Sequence, residues 1–191
     1  MGDFYIADSQ KWYPLGATRV RGGYHFATTA GASSCALVLY REGKTTPVQK
    51  ISFREEDKTG DVWNMTLTGG DFSGLEYAYE ADGKLLPDPY GASFRGREKW
   101  GALNQGKKPL RTPLIQEEFD WEGDRPLEIP YEDTVIYRLH VRGFTRHSSS
   151  GTAEHGTFSA VAEKIPYLKE LGVTAVELLP PTEFEEVILP E

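Results

Sequence analysis

The chain has 191 residues, with 21 Lys+Arg against 29 Asp+Glu and a net charge of −8. That balance excludes nucleic acid as the main partner, because phosphate binding needs a basic face, while 39% hydrophobic and 12% aromatic residues fill a core and exclude a disordered chain. No apolar run approaches the roughly 20 residues that span a bilayer, and a single cysteine, Cys35, excludes an internal disulfide and any cysteine-based zinc site.

Met1 to Tyr5 has neither the basic region nor the apolar core of a signal peptide. Ile6 stands where a myristoylation motif needs Ser or Thr. The expectation is a soluble, acidic, cytoplasmic protein without a membrane partner.

Residues 1–87 read as short strands between turns. The candidates are Gly23 to Thr28, Cys35 to Arg41, Val48 to Phe53, Val62 to Leu67 and Glu76 to Ala81, the last running into Asp82-Gly83, a two-residue hairpin signal. A strand period of two puts Trp63, Met65 and Leu67 on one face, and Tyr77 and Tyr79 on one face. Several such strands without helical periodicity predict an antiparallel β-sandwich from about Pro14 to Tyr90, with no substantial helix.

Residues 88–133 lose all periodicity. Prolines 89, 109, 113, 126 and 130 sit among Gly, Lys, Arg and Glu. This stretch reads as a connector, with Tyr90, Phe94, Trp100, Phe119 and Trp121 as anchors.

From residue 134 to 191 the pattern changes again. Thr134 to Val141 is a near-continuous apolar, β-branched run. Phe158, Val161, Ile165, Leu168 and Leu171 follow at helical spacing, with Thr157 able to cap the start. Pro166 removes a backbone donor inside that segment and predicts two short helices meeting near Lys164. Gly172 fits a left-handed stop, and Val173 to Leu179, closed by Pro180-Pro181, is a second buried-type strand. Strand, helix, strand makes a βαβ unit with parallel strands. Arg138 and Glu177 are the only charges in these two strands, so they are expected on the same face as an ion pair. A parallel sheet needs both faces covered, and too few residues follow Thr134 for the ~250 of a (β/α)8 barrel. The expectation is a larger domain only begun.

Val135-Ile-Tyr-Arg-Leu-His-Val-Arg-Gly-Phe-Thr145, Gly156-Thr-Phe158 and Lys164 to Pro180 resemble the first strand, helix and second strand of the catalytic barrel of glycoside hydrolase family 13, in its pullulanase, isoamylase and glycogen-debranching branch. Pro14 to Thr18, Gly23 to Ala27, Gly60 to Trp63, Asp82-Gly83 and Asp88-Pro-Tyr-Gly91 are similar to the β-sandwich that precedes that barrel, a carbohydrate-binding module of family 48. The resemblance implies a mostly β chain: an immunoglobulin-like β-sandwich followed by a partial (β/α)8 barrel of one βαβ unit. It implies an N-terminal fragment of a retaining glycoside hydrolase that acts on an α-glucan polysaccharide such as glycogen, starch or pullulan, at α-1,6 branch points, without a cofactor. A carboxylate pair about 5–5.5 Å apart does such chemistry. In the family these acids lie on later barrel strands, and their motifs do not occur in residues 1–191, so no catalytic residue is assigned and the chain alone is expected to be inactive. The first barrel strand departs from the family's usual Tyr-Glu, reading Tyr137-Arg138. The alternatives are a non-catalytic glucan-binding module and the N-terminal part of an α-amylase or a 1,4-α-glucan branching enzyme.

Two tryptophans are candidate carbohydrate-binding residues, Trp63 and Trp100. Trp63 can stack on a sugar or fill the core; Met65 and Leu67 on its face favour the core. Trp100 can anchor domains or lie on the surface, and the anchor is favoured. Lys84-Leu85-Leu86 occupies the place where the family's modules often carry a platform tryptophan, so weak or absent glucan binding is expected. His140, His147 and His155 match no ligand spacing for a metal; His140 is expected near the barrel top. Asp88, Asp120, Asp124, Glu132, Asp133, Glu183, Glu185 and Glu186 are loop carboxylates. The last three follow the second barrel strand, where a solvated acidic loop is favoured over a catalytic pair.

Overall fold

The computed structural model describes residues 4–7, 12–99, 109–115 and 119–182. These fall into two compact units, one reaching Phe119 and the other starting at Asp120.

The first unit contains β1 (Phe4–Ala7), β2 (Gly16–Val20), β3 (Gly23–Thr29), β4 (Cys35–Arg41), β5 (Pro47–Ser52), β6 (Lys58–Thr59), β7 (Val62–Gly69), β8 (Leu75–Ala81), β9 (Lys84–Leu86) and β10 (Thr112–Pro113). One sheet runs β1-β7-β3-β2, with β6 also on β7. The other runs β10-β8-β4-β5, with β9 also on β8. Every pairing in both is antiparallel. Among the described residues from 14 to 90, the only helical segment is the 3-10 turn Glu55–Asp57.

The strand period builds the core. Tyr24 and Phe26 of β3 and Trp63, Met65 and Leu67 of β7 share one buried cluster with Leu37 and Leu39 of β4 and Tyr77 and Tyr79 of β8. Phe26 and Tyr77 meet across the sheets edge to face, with ring centroids 5.2 Å apart. Phe53 bridges Trp63 and Tyr79 at 6.3 and 6.0 Å. Truncating an aromatic of this kind to Ala costs about 3–5 kcal/mol.

The Asp82-Gly83 turn joins β8 to β9 with φ of 46° and 77°. Both values are positive, the geometry of a type I′ hairpin, which Asp-Gly satisfies with little strain. The Asp82 carboxylate also accepts the Ser34 and Ser33 amides at 2.9 and 3.1 Å. Those N–H bonds hold its carboxyl below the usual range.

The stretch expected as a connector contributes to the sandwich. Thr112-Pro113 adds β10 to the edge of β8, opposite Tyr77 and Glu76. Two residues are too short for a periodic signal, and a proline is tolerated because the strand is an edge. Arg111 stacks on the Tyr40 ring, 3.5 Å from its centroid, and faces Glu76 at 3.6 Å. Burial pushes the Glu76 carboxyl up, and Arg111 opposes that shift. Of the expected anchors, Tyr90 is 42%, Phe119 76% and Trp121 68% exposed, Phe94 is half-buried, and Trp100 lies outside the described residues.

Asp88 has a role that the sequence reading did not carry. It is a loop carboxylate by position, yet it is fully buried. Its Oδ2 accepts the Tyr77 hydroxyl at 2.5 Å and its Oδ1 accepts the Tyr90 amide at 2.9 Å. The Gly91 amide donates to the Asp88 carbonyl at 3.1 Å. A Cβ on Gly91 would lie 2.7 Å from Thr112 Oγ1, so the turn needs glycine there.

The second unit contains β11 (Ile136–Leu139), α1 (Val141–Thr145), α2 (Phe158–Glu163), α3 (Ile165–Glu170) and β12 (Ala175–Leu178). β11 and β12 pair in parallel, from Ile136 opposite Ala175 to Leu139 opposite Leu178. The helical segment divides at Lys164, which ends α2 and begins α3, and Pro166 lies in the first turn of α3. The Thr157 hydroxyl caps α2 by accepting the Ala160 amide at 3.2 Å, and Gly172 has φ 79°. Both strands are shorter than the apolar runs that announced them, and α1 was not expected. Among the described residues no helix is long and apolar enough to cross a membrane.

Burial pushes the Asp88 carboxyl up, a shift opposed by the Tyr77 hydroxyl and the Tyr90 amide. A raised folded value means stability that is complete below the unfolded value of about 3.9 and lost as pH rises through the folded one. Asp88→Asn keeps one acceptor and cannot ionise. In urea unfolding, wild type is therefore expected to gain on Asp88→Asn as pH falls from 7 to 3. Asp88→Ala is expected to lose about 2 kcal/mol by stranding two buried donors.

Candidate functional site

Trp63 is not available to a sugar. It is 1% exposed, its Nε1 donates to the Ala30 carbonyl at 3.1 Å, and Lys58 Nζ sits 4.2 Å from the ring centroid. With Phe53 also against it, the ring has no free face. Trp100 lies outside the described residues. Among the described aromatics of the first unit that reach solvent, Trp12 and Tyr13 stand side by side, 54% and 65% exposed, their rings 6.0 Å apart. Sequence reasoning missed this pair because it precedes any periodic segment.

In the second unit the pleat sorts the two parallel strands. Tyr137 and Leu139 lie on one face, and Leu139 is buried. Ile136, Arg138, Ala175 and Glu177 lie on the other. Arg138 stands directly opposite Glu177, with Nε 3.3 Å from Oε1. The expected pair therefore forms, and it forms in water: the two side chains are 63% and 54% exposed.

His140 follows β11 with extended backbone, φ −96° and ψ 119°, so it continues the face of Arg138. Its Nδ1 accepts the Gly143 amide at 3.0 Å and caps α1. His147 caps its own short turn in the same way, accepting the Ser149 amide at 3.2 Å. His155 Nδ1 lies 3.1 Å from Ser150 Oγ and 3.3 Å from the Thr145 carbonyl, while buried Thr145 accepts the Gly156 amide at 3.0 Å. The three histidines are thus spent separately on fixing the loop between β11 and α2. Among the described residues no group of three or more His, Cys, Asp or Glu is placed to hold a metal ion.

Of the loop carboxylates, Asp120 accepts the Glu122 amide at 2.8 Å and is exposed, as are Asp124, Glu132 and Asp133. Glu183, Glu185 and Glu186 lie outside the described residues.

No family model matches the chain. Isoamylase 1 of Arabidopsis thaliana, a chloroplastic protein, is 36% identical over 208 residues, covering 96% of this chain and 26% of that protein. A glycogen debranching enzyme of Yersinia pseudotuberculosis is 35% identical over 195 residues, covering 87% and 29%. The chain belongs to the debranching enzymes of glycoside hydrolase family 13. A crystal structure of pullulanase from Paenibacillus barengoltzii, in complex with maltohexaose and α-cyclodextrin, superposes with a TM-score of 0.68 at 26% identity, covering 92% of this chain and 28% of that one. The chain spans about a quarter of the length of the curated relatives it matches.

An ion pair this exposed holds little free energy, because water screens it and two long side chains must be ordered to make it. A double-mutant cycle on the chain with Arg138→Met and Glu177→Gln is expected to give a coupling of at most about 1 kcal/mol in chemical unfolding.

Proposed function

We propose that this sequence is the N-terminal part of an enzyme that hydrolyses α-1,6 branch linkages of glycogen, starch or pullulan, and that β11, the helices and β12 begin its (β/α)8 barrel. The observation that carries the reading is the parallel pair β11–β12, joined through helices and following a two-sheet sandwich, in a chain that aligns over nearly its whole length with an isoamylase. In a parallel barrel the active site forms at the C-terminal ends of the strands. Those ends here carry His140 and the loop that His147 and His155 fix. The retaining carboxylate pair is assigned to later strands of the same barrel.

The sandwich acts as a structural module that precedes the barrel in the chain. Support for this comes from the buried Trp63 and from Leu85 and Leu86 in the hairpin, where a platform aromatic would stand. The α-glucan is then a partner of the whole enzyme.

The test is reducing-end release from pullulan and from unbranched amylose. The full-length protein is expected to act on pullulan and not on amylose, and the 191-residue chain on neither. Amylose hydrolysis by the full-length protein would replace a debranching activity with an amylase activity. Pullulan hydrolysis by the 191-residue chain would place the catalytic acids within it.

A further inference from the structure

His140 is more than a helix cap. Three observations converge on its free edge. First, the residue sits one position beyond the last residue of β11, at the C-terminal end of a parallel strand, where α/β sheets present ligands. Second, its extended backbone keeps it on the face of Arg138 and Glu177, the solvent-open face of the pair. Third, Nδ1 is occupied as an acceptor from the Gly143 amide. In the neutral ring that leaves the proton on Nε2. Nε2 has no protein acceptor among the described residues, and the residue is exposed. The cap therefore fixes both the tautomer and the ring plane, and aims a single N–H donor from the strand end.

We propose that the His140 Nε2–H donates a hydrogen bond to a hydroxyl oxygen of a glucosyl unit of the substrate, making His140 a substrate-contact residue of the active-site face. This inference rests on the debranching reading for the class of ligand; the donor geometry stands on the structure alone. A glucan is a neutral ligand dense in hydroxyls, and a fixed neutral donor suits it better than a mobile cation would.

The two jobs of the ring separate by substitution. Asn places its Oδ1 near the position of Nδ1 and is among the best capping residues, so His140→Asn keeps the cap and deletes the Nε2 donor. Gln can place an amide N–H near the position of Nε2 and gives up the cap. In the full-length enzyme, His140→Asn is expected to melt as wild type does, while kcat/KM on pullulan falls about tenfold, the scale of one substrate hydrogen bond. His140→Gln is expected to recover part of that fall. In the 191-residue chain, long-range 1H–15N correlation is expected to show the proton of the His140 ring on Nε2.

An active wild type whose Asn variant matches it in kcat/KM overturns the substrate contact and leaves the debranching reading intact. A ring protonated on Nδ1 overturns the donor geometry. A wild type inactive on every α-glucan overturns the debranching reading, and this contact with it.

Discussion

Tyr77 is the side chain on which the first unit closes. Its ring packs against Phe26 of the facing sheet and lies 5.6 Å from Tyr79 of its own strand. Its hydroxyl reaches out of the core to Asp88, and its backbone register partner is Thr112 of β10. One residue therefore joins sheet to sheet, sheet to the Asp88–Gly91 turn, and sheet to the returning edge strand. Burial pushes the Tyr77 hydroxyl up, and the nearby Asp88 carboxylate adds to the shift, so the phenol stays a donor to that carboxylate. An unpaired buried hydroxyl or carboxylate would each be costly; together they form a charge-assisted bond.

The two units solve burial differently. The sandwich covers the inner face of each sheet with the other, and its core is continuous. The second unit has one sheet of two strands, and only one face of it is covered. Leu139, Ala160 and Leu168 are buried, while on the other face of the pair Ile136 is 57% exposed beside the solvent-open Arg138 and Glu177. Parallel sheets are stable when both faces are packed. The open face is the one that carries Arg138, Glu177 and His140, and it is also the face that the barrel reading turns inward. The uncovered face of the pair and the proposed place of its chemistry are the same feature.

Much of this was legible in the sequence where one signal dominated. Period-two alternation located β3, β4, β5, β7 and β8, and Asp82-Gly83 located the hairpin, because both signals are local. Pro166 located the helix break, and the lone charges Arg138 and Glu177 found each other because register follows from parallel pairing. The failures were non-local. β1 and β2 are short and mixed in polarity, and exist because β7 and β3 offer them an edge. β10 is two residues long and depends on the Asp88 turn to bring it back. Asp88 itself looks like any turn aspartate until Tyr77 is seen to point at it. The role of Trp63 was decided by its neighbours: tryptophan identity suits a sugar platform and a core alike, and only the alternation with Met65 and Leu67 favours burial. The helix α1 was hidden because Val141-Arg-Gly-Phe-Thr145 has a central glycine and two β-branched residues, all poor helix formers. The His140 cap supplies what propensity does not.

The sandwich is packed on a continuous core, while the parallel pair leaves the face of Arg138 and Glu177 uncovered. Native-state amide hydrogen exchange on the 191-residue chain tests this difference directly. The account predicts that β4 and β8 exchange only through global opening, and that β11 and β12 exchange far faster, through local opening from the uncovered face. Equal protection of all four strands would contradict it, because the parallel pair would then be as fully packed as the sandwich core.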